Sequence, residues 1–261
     1  MHTLKVLYTF FKTNLQEAFA YRVDTAVNIG TSLFWLLWEL AGLSIIFNNA
    51  NTIGGWRLGD ILALSGVWRI LQTFMFVFVW PNTEKFNRGV REGTLDYTLL
   101  QPLNSQFSVS FNKMAVWRIV DFILGIMFIG IGLAWGGEIP PLINAVSFLA
   151  LIVSGLMVIY GLWIVLIAAT FWLTKFDNNV TILQALLDSG RYPSVVYPIW
   201  LRVIVTFVIP IAVATTVPLQ ALRGDLAWWQ IFAALLSGVL VLWLSSLVWR
   251  TGVKRYSGAS A

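Results

Sequence analysis

The chain has 261 residues, 58% of them hydrophobic and only 11% charged, with 18 Phe and 14 Trp; soluble domains carry about 25% charged residues, so this balance belongs to a membrane protein. Its 17 Lys and Arg outnumber 12 Asp and Glu, yet they are scattered between apolar runs, which excludes a nucleic-acid-binding face and marks topology signals. The absence of cysteine excludes disulfides, thiolate catalysis and Cys-ligated metal, and the single histidine, His2, stands at the N-terminus.

In chain order, Leu4, Leu7, Phe11, Leu15 and Phe19 recur at helical spacing among Lys5, Lys12, Glu17 and Arg22. That spacing predicts an amphipathic helix over 1–24, lying in the cytoplasmic interface or simply extending the first span. Six runs then reach membrane-spanning length, about 20 helical residues for a hydrocarbon core of about 30 Å. They are Thr25–Phe47, Ile61–Trp80, Met114–Trp135, Leu142–Leu173, Ile199–Val217 and Trp228–Trp249. The first lacks the short core and small-residue cleavage site of a signal peptide. The fourth is longer than it needs to be, and the fifth is the weakest because it carries Arg202 and Pro210. No run alternates as a barrel strand would. The expected fold is an all-α membrane protein: an N-terminal interfacial helix, six transmembrane helices over 25–249 in a single domain, and a tail over 250–261.

With the N-terminus inside, 14 of the 17 basic residues, Arg118, Arg191 and Arg202 among them, fall on the cytoplasmic side or its interface. Arg57 and Arg223 fall outside, and Arg69 lies within a span. This bias puts both termini in the cytoplasm.

Several polar side chains interrupt the spans. Asn28, Ser32, Trp35 and Glu39 share one face of the first, and Arg69, Gln72, Thr73, Phe76 and Trp80 form a similar face of the second. Glu39 and Arg69 lie at matched depth, about 12 Å in from the outer ends at 1.5 Å per residue. Opposite charges at one depth predict a pair, which either clamps two helices or lines a polar path near the outer leaflet. Asp121, in the third span, has Arg118 or Arg202 as its available partner. Small residues at Ser147, Ser154, Gly161 and Ala168, and at Ala234 and Gly238, predict close helix packing.

Catalytic signatures are missing. There is no phosphate-binding loop, not even one Gly-Lys dipeptide, and no His-Glu-x-x-His or Cys/His cluster. No cofactor is therefore expected on this chain, and an intramembrane enzyme is not expected.

The stretch "REGTLDYTLLQPLN", Arg91–Asn104, sits between the second and third spans. Gly93 fits a C-cap for a cytoplasmic extension of the second span, and Thr94 an N-cap for a short helix Leu95–Leu100 stopped by Pro102. Leu95, Leu99 and Leu100 give that helix an apolar side and Asp96 a polar one. It is either a surface-parallel handle for a soluble partner or a loop resting on headgroups.

On this stretch, and on "SGRYPSVVYP" at Ser189–Pro198, the chain resembles a type-2 ABC exporter permease, of the group of six-span subunits made apart from their ATPase. The resemblance implies that Glu92, Gly93, Leu95, Asp96 and Pro102, with Thr94 and Leu99 between them, form a coupling helix docking on an ABC ATPase subunit. It also implies a second permease, the same chain or a paralogue, with ATP and Mg bound by the ATPase partners in a prokaryotic plasma (inner) membrane. Pro218–Ala227 is short, so the large external element of some relatives is expected to be missing. The sparsely polar, aromatic faces suit export of a hydrophobic or amphipathic substrate, cationic if Glu39 is unpaired. An ATP-independent secondary transporter or channel, and a non-transporting scaffold, are the competing readings.

Overall fold

A chain this apolar satisfies its backbone polar groups in helices. The computed structural model describes residues 2–100, 104–136, 140–173 and 178–256, with backbone alone at 2–6, 18, 22 and 99. Among the described residues, regular structure is helical apart from one isolated bridge between Ile53 and Trp56. Five helices are long and apolar enough to cross a membrane: Val23–Asn49, Leu58–Glu92, Val116–Gly136, Leu142–Phe171 and Trp228–Arg255.

α1 (His2–Ala20) breaks from α2 (Arg22–Asn49) at Tyr21, whose φ of −101° and ψ of 59° leave the helical region. Asn14 ties α1 to the bundle: its Nδ2 donates to the Asn112 carbonyl at 3.4 Å, and its Oδ1 accepts from the Met114 amide at 3.2 Å.

α3 (Leu58–Phe74) continues through a π turn, Met75–Val79, into α4 (Trp80–Glu92). This rod of 35 residues is about 52 Å long at 1.5 Å per residue, well beyond a hydrocarbon core of about 30 Å. At the widened turn the Val77 carbonyl accepts from the Ala115 amide at 3.0 Å. One turn on, buried Asn82 donates to the Ser110 and Lys113 carbonyls at 2.9 and 2.7 Å and accepts from the Lys113 amide at 2.9 Å. These bonds fix the return of the chain beside the rod, through α5 (Leu95–Leu99) and α6 (Ser105–Phe111), to the foot of α7 (Ile119–Gly136).

α7 lies antiparallel against α3 along a glycine seam, with Gly59 facing Gly132 and Gly66 facing Gly125. α8 (Leu142–Ala168) is the central post: Leu151, Val158, Ile159, Trp163 and Ile164 are fully buried. Trp163 donates from Nε1 to Thr83 Oγ1 at 2.7 Å. α13 (Trp228–Arg255) packs on α8 where small residues meet: Gly238 lies against Ser154 and Gly161 against Val241. Ser147, from the predicted seam, stays exposed and bonds its own helix at Ile143.

The predicted fifth span, Ile199–Val217, is not one helix. It is cut into α10 (Ile199–Val203), a π turn Ile204–Val208, α11 (Ile211–Ala214) and α12 (Thr216–Arg223). Pro210 has no amide to donate and forces Ile209 out of the helical region, to φ −122° and ψ 86°. The segment that joins the two ends of the bundle begins earlier. α9 (Asn179–Asp188) starts beside Asn87 at the Phe86 end, where Asn179 Nδ2 donates to Asn87 Oδ1 at 3.2 Å. The Leu187 carbonyl accepts from Trp68 Nε1 at 3.1 Å. From Gly190, packed on Ile211 and Thr215, the chain runs through turns to a 3-10 turn, Ser194–Val196, whose Val195 and Val196 lie against Gly54 near the Trp56 end. α10 then doubles back, and α11 and α12 return along α8, with Ala214 against Gly155 and the Leu222 carbonyl accepting from Asn144 Nδ2 at 3.4 Å. Residues 199–223 thus form a bent helical pair where one spanning helix, Ile199–Val217, and the start of the short connection Pro218–Ala227 were expected.

Candidate functional site

A cavity of about 600 Å³ opens between α2, α3, the foot of α7 and the α9 segment. Charged side chains of alternating sign run across it. Arg69 donates from Nη2 to Glu39 Oε2, and both side chains are buried. Arg69 Nη1 lies 3.9 Å from Asp121 Oδ1, and Arg118 Nη1 donates to Asp121 Oδ2 at 3.1 Å. At the other end Arg191 Nη2 stands 3.7 Å from Glu39 Oε1. That is an ion pair too long for a hydrogen bond. Asp188 also lines the cavity, so its wall carries three guanidinium and three carboxylate groups.

Each arginine is held over an aromatic ring: Arg69 over Phe128 at 5.5 Å, Arg118 over Phe76 at 4.4 Å and Arg191 over Trp68 at 5.1 Å. Stacking of this kind stabilises a guanidinium by roughly 0.5–2 kcal/mol while leaving its N–H edge available. The network is nevertheless under-satisfied, because Glu39 Oε1 and Arg69 Nε are buried without a hydrogen-bond partner. A buried carboxylate oxygen without a donor is costly, about 1–3 kcal/mol or more. The site is poised to accept a donor.

Of the residues singled out from sequence, Ser32, Trp35, Glu39, Arg69, Gln72, Phe76 and Asp121 line this cavity. Three do not. Asn28 bonds the Asp24 carbonyl and lines a separate cleft, Thr73 bonds the Arg69 carbonyl, and Trp80 donates to Glu84 Oε1 at 2.8 Å. Asp121 takes Arg118, not Arg202, which instead donates to the Ser194 and Tyr197 carbonyls of its own loop at 3.1 and 3.3 Å. Sequence reasoning missed Gln184, Asp188 and Tyr192 and placed Arg191 at the cytoplasmic surface; all four line the cavity. The signal was the Ser189–Pro198 stretch itself, whose charge follows a short apolar run.

The second feature lies at the Phe86 end. α4 stops at Gly93, in the left-handed conformation with φ 69° and ψ 12°, which only glycine adopts at little cost. Thr94 makes no side-chain cap and sits in the helical region, so the turn at Gly93, not a capped N-terminus, sets the direction of α5. Leu95 is buried in the core, while Tyr97 and Leu100 are 76% and 81% exposed. The apolar face offered outward is therefore Tyr97 and Leu100, not the leucine set with Leu95. Pro102 and the Leu99 side chain lie outside the described residues. Tyr256, beyond the end of α13, stands near enough that burial and the Asp96 carboxylate push its phenol up from its ordinary range. A groove of about 510 Å³ separates α4, α5 and α6, with Lys85, Glu92 and Tyr97 on its walls.

A family model described as ABC-2 family transporter protein matches residues 33–260. The chain belongs to that family. The match takes in the charged cavity except Thr31 and Ser32, and the whole Gly93 foot, and leaves out α1 and the start of α2. This ABC-2 protein is thus a multi-pass membrane transport subunit of the kind that works with ABC ATPases. No curated protein and no solved structure matches it. Among the described residues of the ABC-2 chain no cluster of His, Cys, Asp or Glu is arranged to hold a metal ion.

Proposed function

We propose that this ABC-2 protein is the single-domain permease subunit of an ABC exporter whose ATPase is a separate chain, and that α5 is its coupling element. The observation that carries the reading is the α3–α4 rod. It outruns a bilayer by about 20 Å and ends in a turn that presents Tyr97 and Leu100 to solvent. Exposed aromatic and aliphatic anchors on a short helix fit a groove on a partner. The basic end of α13, with Lys254 and Arg255, lies at the same end of the bundle, which supports a cytoplasmic placement. The route 179–196 supplies a sixth crossing beside the five long helices, with both termini on the cytoplasmic side of a prokaryotic plasma membrane. A second permease, identical or paralogous, and two ATPase chains complete the assembly.

The transport step then needs no chemistry from this chain. ATP and Mg, held by the partners, favour one arrangement of the α5 elements over the other, and only that difference in affinity drives the change. Glu39 is paired with Arg69, so a purely cationic substrate loses the free carboxylate it required. An amphipathic substrate remains.

The test is co-expression with an ABC ATPase subunit from the same organism. Tyr97→Asp removes an exposed side chain, so insertion and protein level should hold while ATPase copurification falls about tenfold or more. Unchanged copurification together with unchanged export would remove the coupling role from α5. Transport that persisted without ATP would favour the secondary-transporter reading.

A further inference from the structure

Resting on the permease reading, we propose that the charged cavity is the substrate site and that its ligand is a zwitterionic amphiphile. Such a molecule joins a cationic ammonium and an anionic oxyacid group at one end of an apolar body. The six ionisable side chains on the wall balance in number, three basic against three acidic. A ligand head with net charge would enter a buried, charge-neutral site with no counter-ion to release or retain, which low-dielectric surroundings penalise. A neutral head avoids that penalty but meets the two orphaned atoms, Glu39 Oε1 and Arg69 Nε, with only the weaker bonds of uncharged groups. A zwitterion serves both. Its ammonium group donates to Glu39 Oε1, and its oxyanion accepts from guanidinium N–H groups.

Arg191 is the arginine placed to make the exchange. Its side chain is 40% exposed; among the described residues its one ion pair is the loose 3.7 Å approach to Glu39, with the Asp188 carboxylate attracting it at longer range. It can swing from Glu39 to an incoming oxyanion while the ligand's ammonium takes its place at the carboxylate. Trp68, over which Arg191 sits, and Trp38 and Tyr192 nearby give the ammonium group aromatic faces. Leu43, Ile46 and Ile61 on the same wall supply contact for an apolar body. α2 forms one side of the cavity and leaves Leu33, Phe34, Leu37 and Ile45 exposed.

Binding is read by tryptophan fluorescence on the full chain, purified in a neutral maltoside detergent without its ATPase. Four probes are titrated: octylphosphoethanolamine, methyl octyl phosphate, octylammonium and chainless phosphoethanolamine. The zwitterionic amphiphile should bind about tenfold more tightly than either singly charged one, the scale of one charge-assisted hydrogen bond. Phosphoethanolamine alone should bind weakly; binding as tight as that of the octyl form would point to a soluble zwitterion and overturn the amphiphile. Arg191→Gln, at a half-exposed position, should leave folding intact and shift preference towards octylammonium. Equal binding of all three octyl probes, or an unchanged order in Arg191→Gln, overturns the site. No ATPase enters this measurement, so a failed coupling test with intact probe binding would reject the exporter reading alone.

Discussion

Glu39 and Arg69 show what one buried charge demands of its surroundings. Both are nearly inaccessible and joined directly, with Asp121 and Arg191 at longer range on either side. Removing one partner leaves the other buried with only its longer-range neighbour, Arg191 for Glu39 or Asp121 for Arg69, a loss of up to about 3–5 kcal/mol, whereas removing both spares much of that penalty. Glu39→Gln and Arg69→Gln should therefore each lower the detergent thermal midpoint, and the double variant should recover part of the loss, with a coupling of about 1–3 kcal/mol. Strictly additive midpoints would mean that the pair carries no stability of its own. This pair was legible in the sequence because opposite charges inside two consecutive apolar runs, at one depth, have few other partners. Arg191 was not. It follows an apolar segment, Asn179–Asp188, of only 10 residues, half of what a span requires, so hydropathy assigns it to the surface.

At the scale of elements, backbone contact decides which helices pair, and side-chain periodicity does not reveal it. Gly132 and Gly130 both lie on α7, two residues apart. A Cβ on Gly132 would fall 2.4 Å from the Gly59 carbonyl and 2.7 Å from the Ala63 amide, whereas one on Gly130 would meet nothing within 4 Å. Gly132→Ala must push α3 and α7 apart and should cost about 1–3 kcal/mol. Gly130→Ala should be neutral or gain about 0.5–1 kcal/mol from helix propensity. Thermal midpoints of the two variants, measured side by side, check this; equal midpoints would show that the seam yields freely. The long helices themselves were plain from composition, since four of the six expected runs survive as single helices and the second gains only a π turn. The fifth misled because Ile199–Val217 is apolar throughout, and apolarity says nothing about the break that Pro210 imposes. The segment that runs between the two ends of the bundle is instead 179–196, where a short α-helix and a 3-10 turn, Ser194–Val196, are held by Trp68, Thr216 and Gly54.

For the whole molecule, parity is the test. Relocating Arg118 and Arg191 into the bundle and Arg202 to the Trp56 end leaves Arg57, Arg202 and Arg223 as the basic residues there. The Phe86 end retains Lys85, Arg88, Arg91, Lys113, Arg250, Lys254 and Arg255, so the bias narrows but keeps its sign. Five long helices alone would put the two termini on opposite sides of a membrane. If 179–196 crosses as well, both termini share the cytoplasm. The natural chain has no cysteine, so a single introduced thiol reports one position without background. Asn49→Cys, at the exposed end of α2, should react with a membrane-impermeant maleimide in sealed cells. So should Ile199→Cys, 77% exposed where α10 turns back. Arg255→Cys, at the exposed end of α13, should react only after the membrane is permeabilised. Labelling of Arg255→Cys in sealed cells would make the number of crossings odd and reduce 179–196 to a segment that enters the bundle without traversing it.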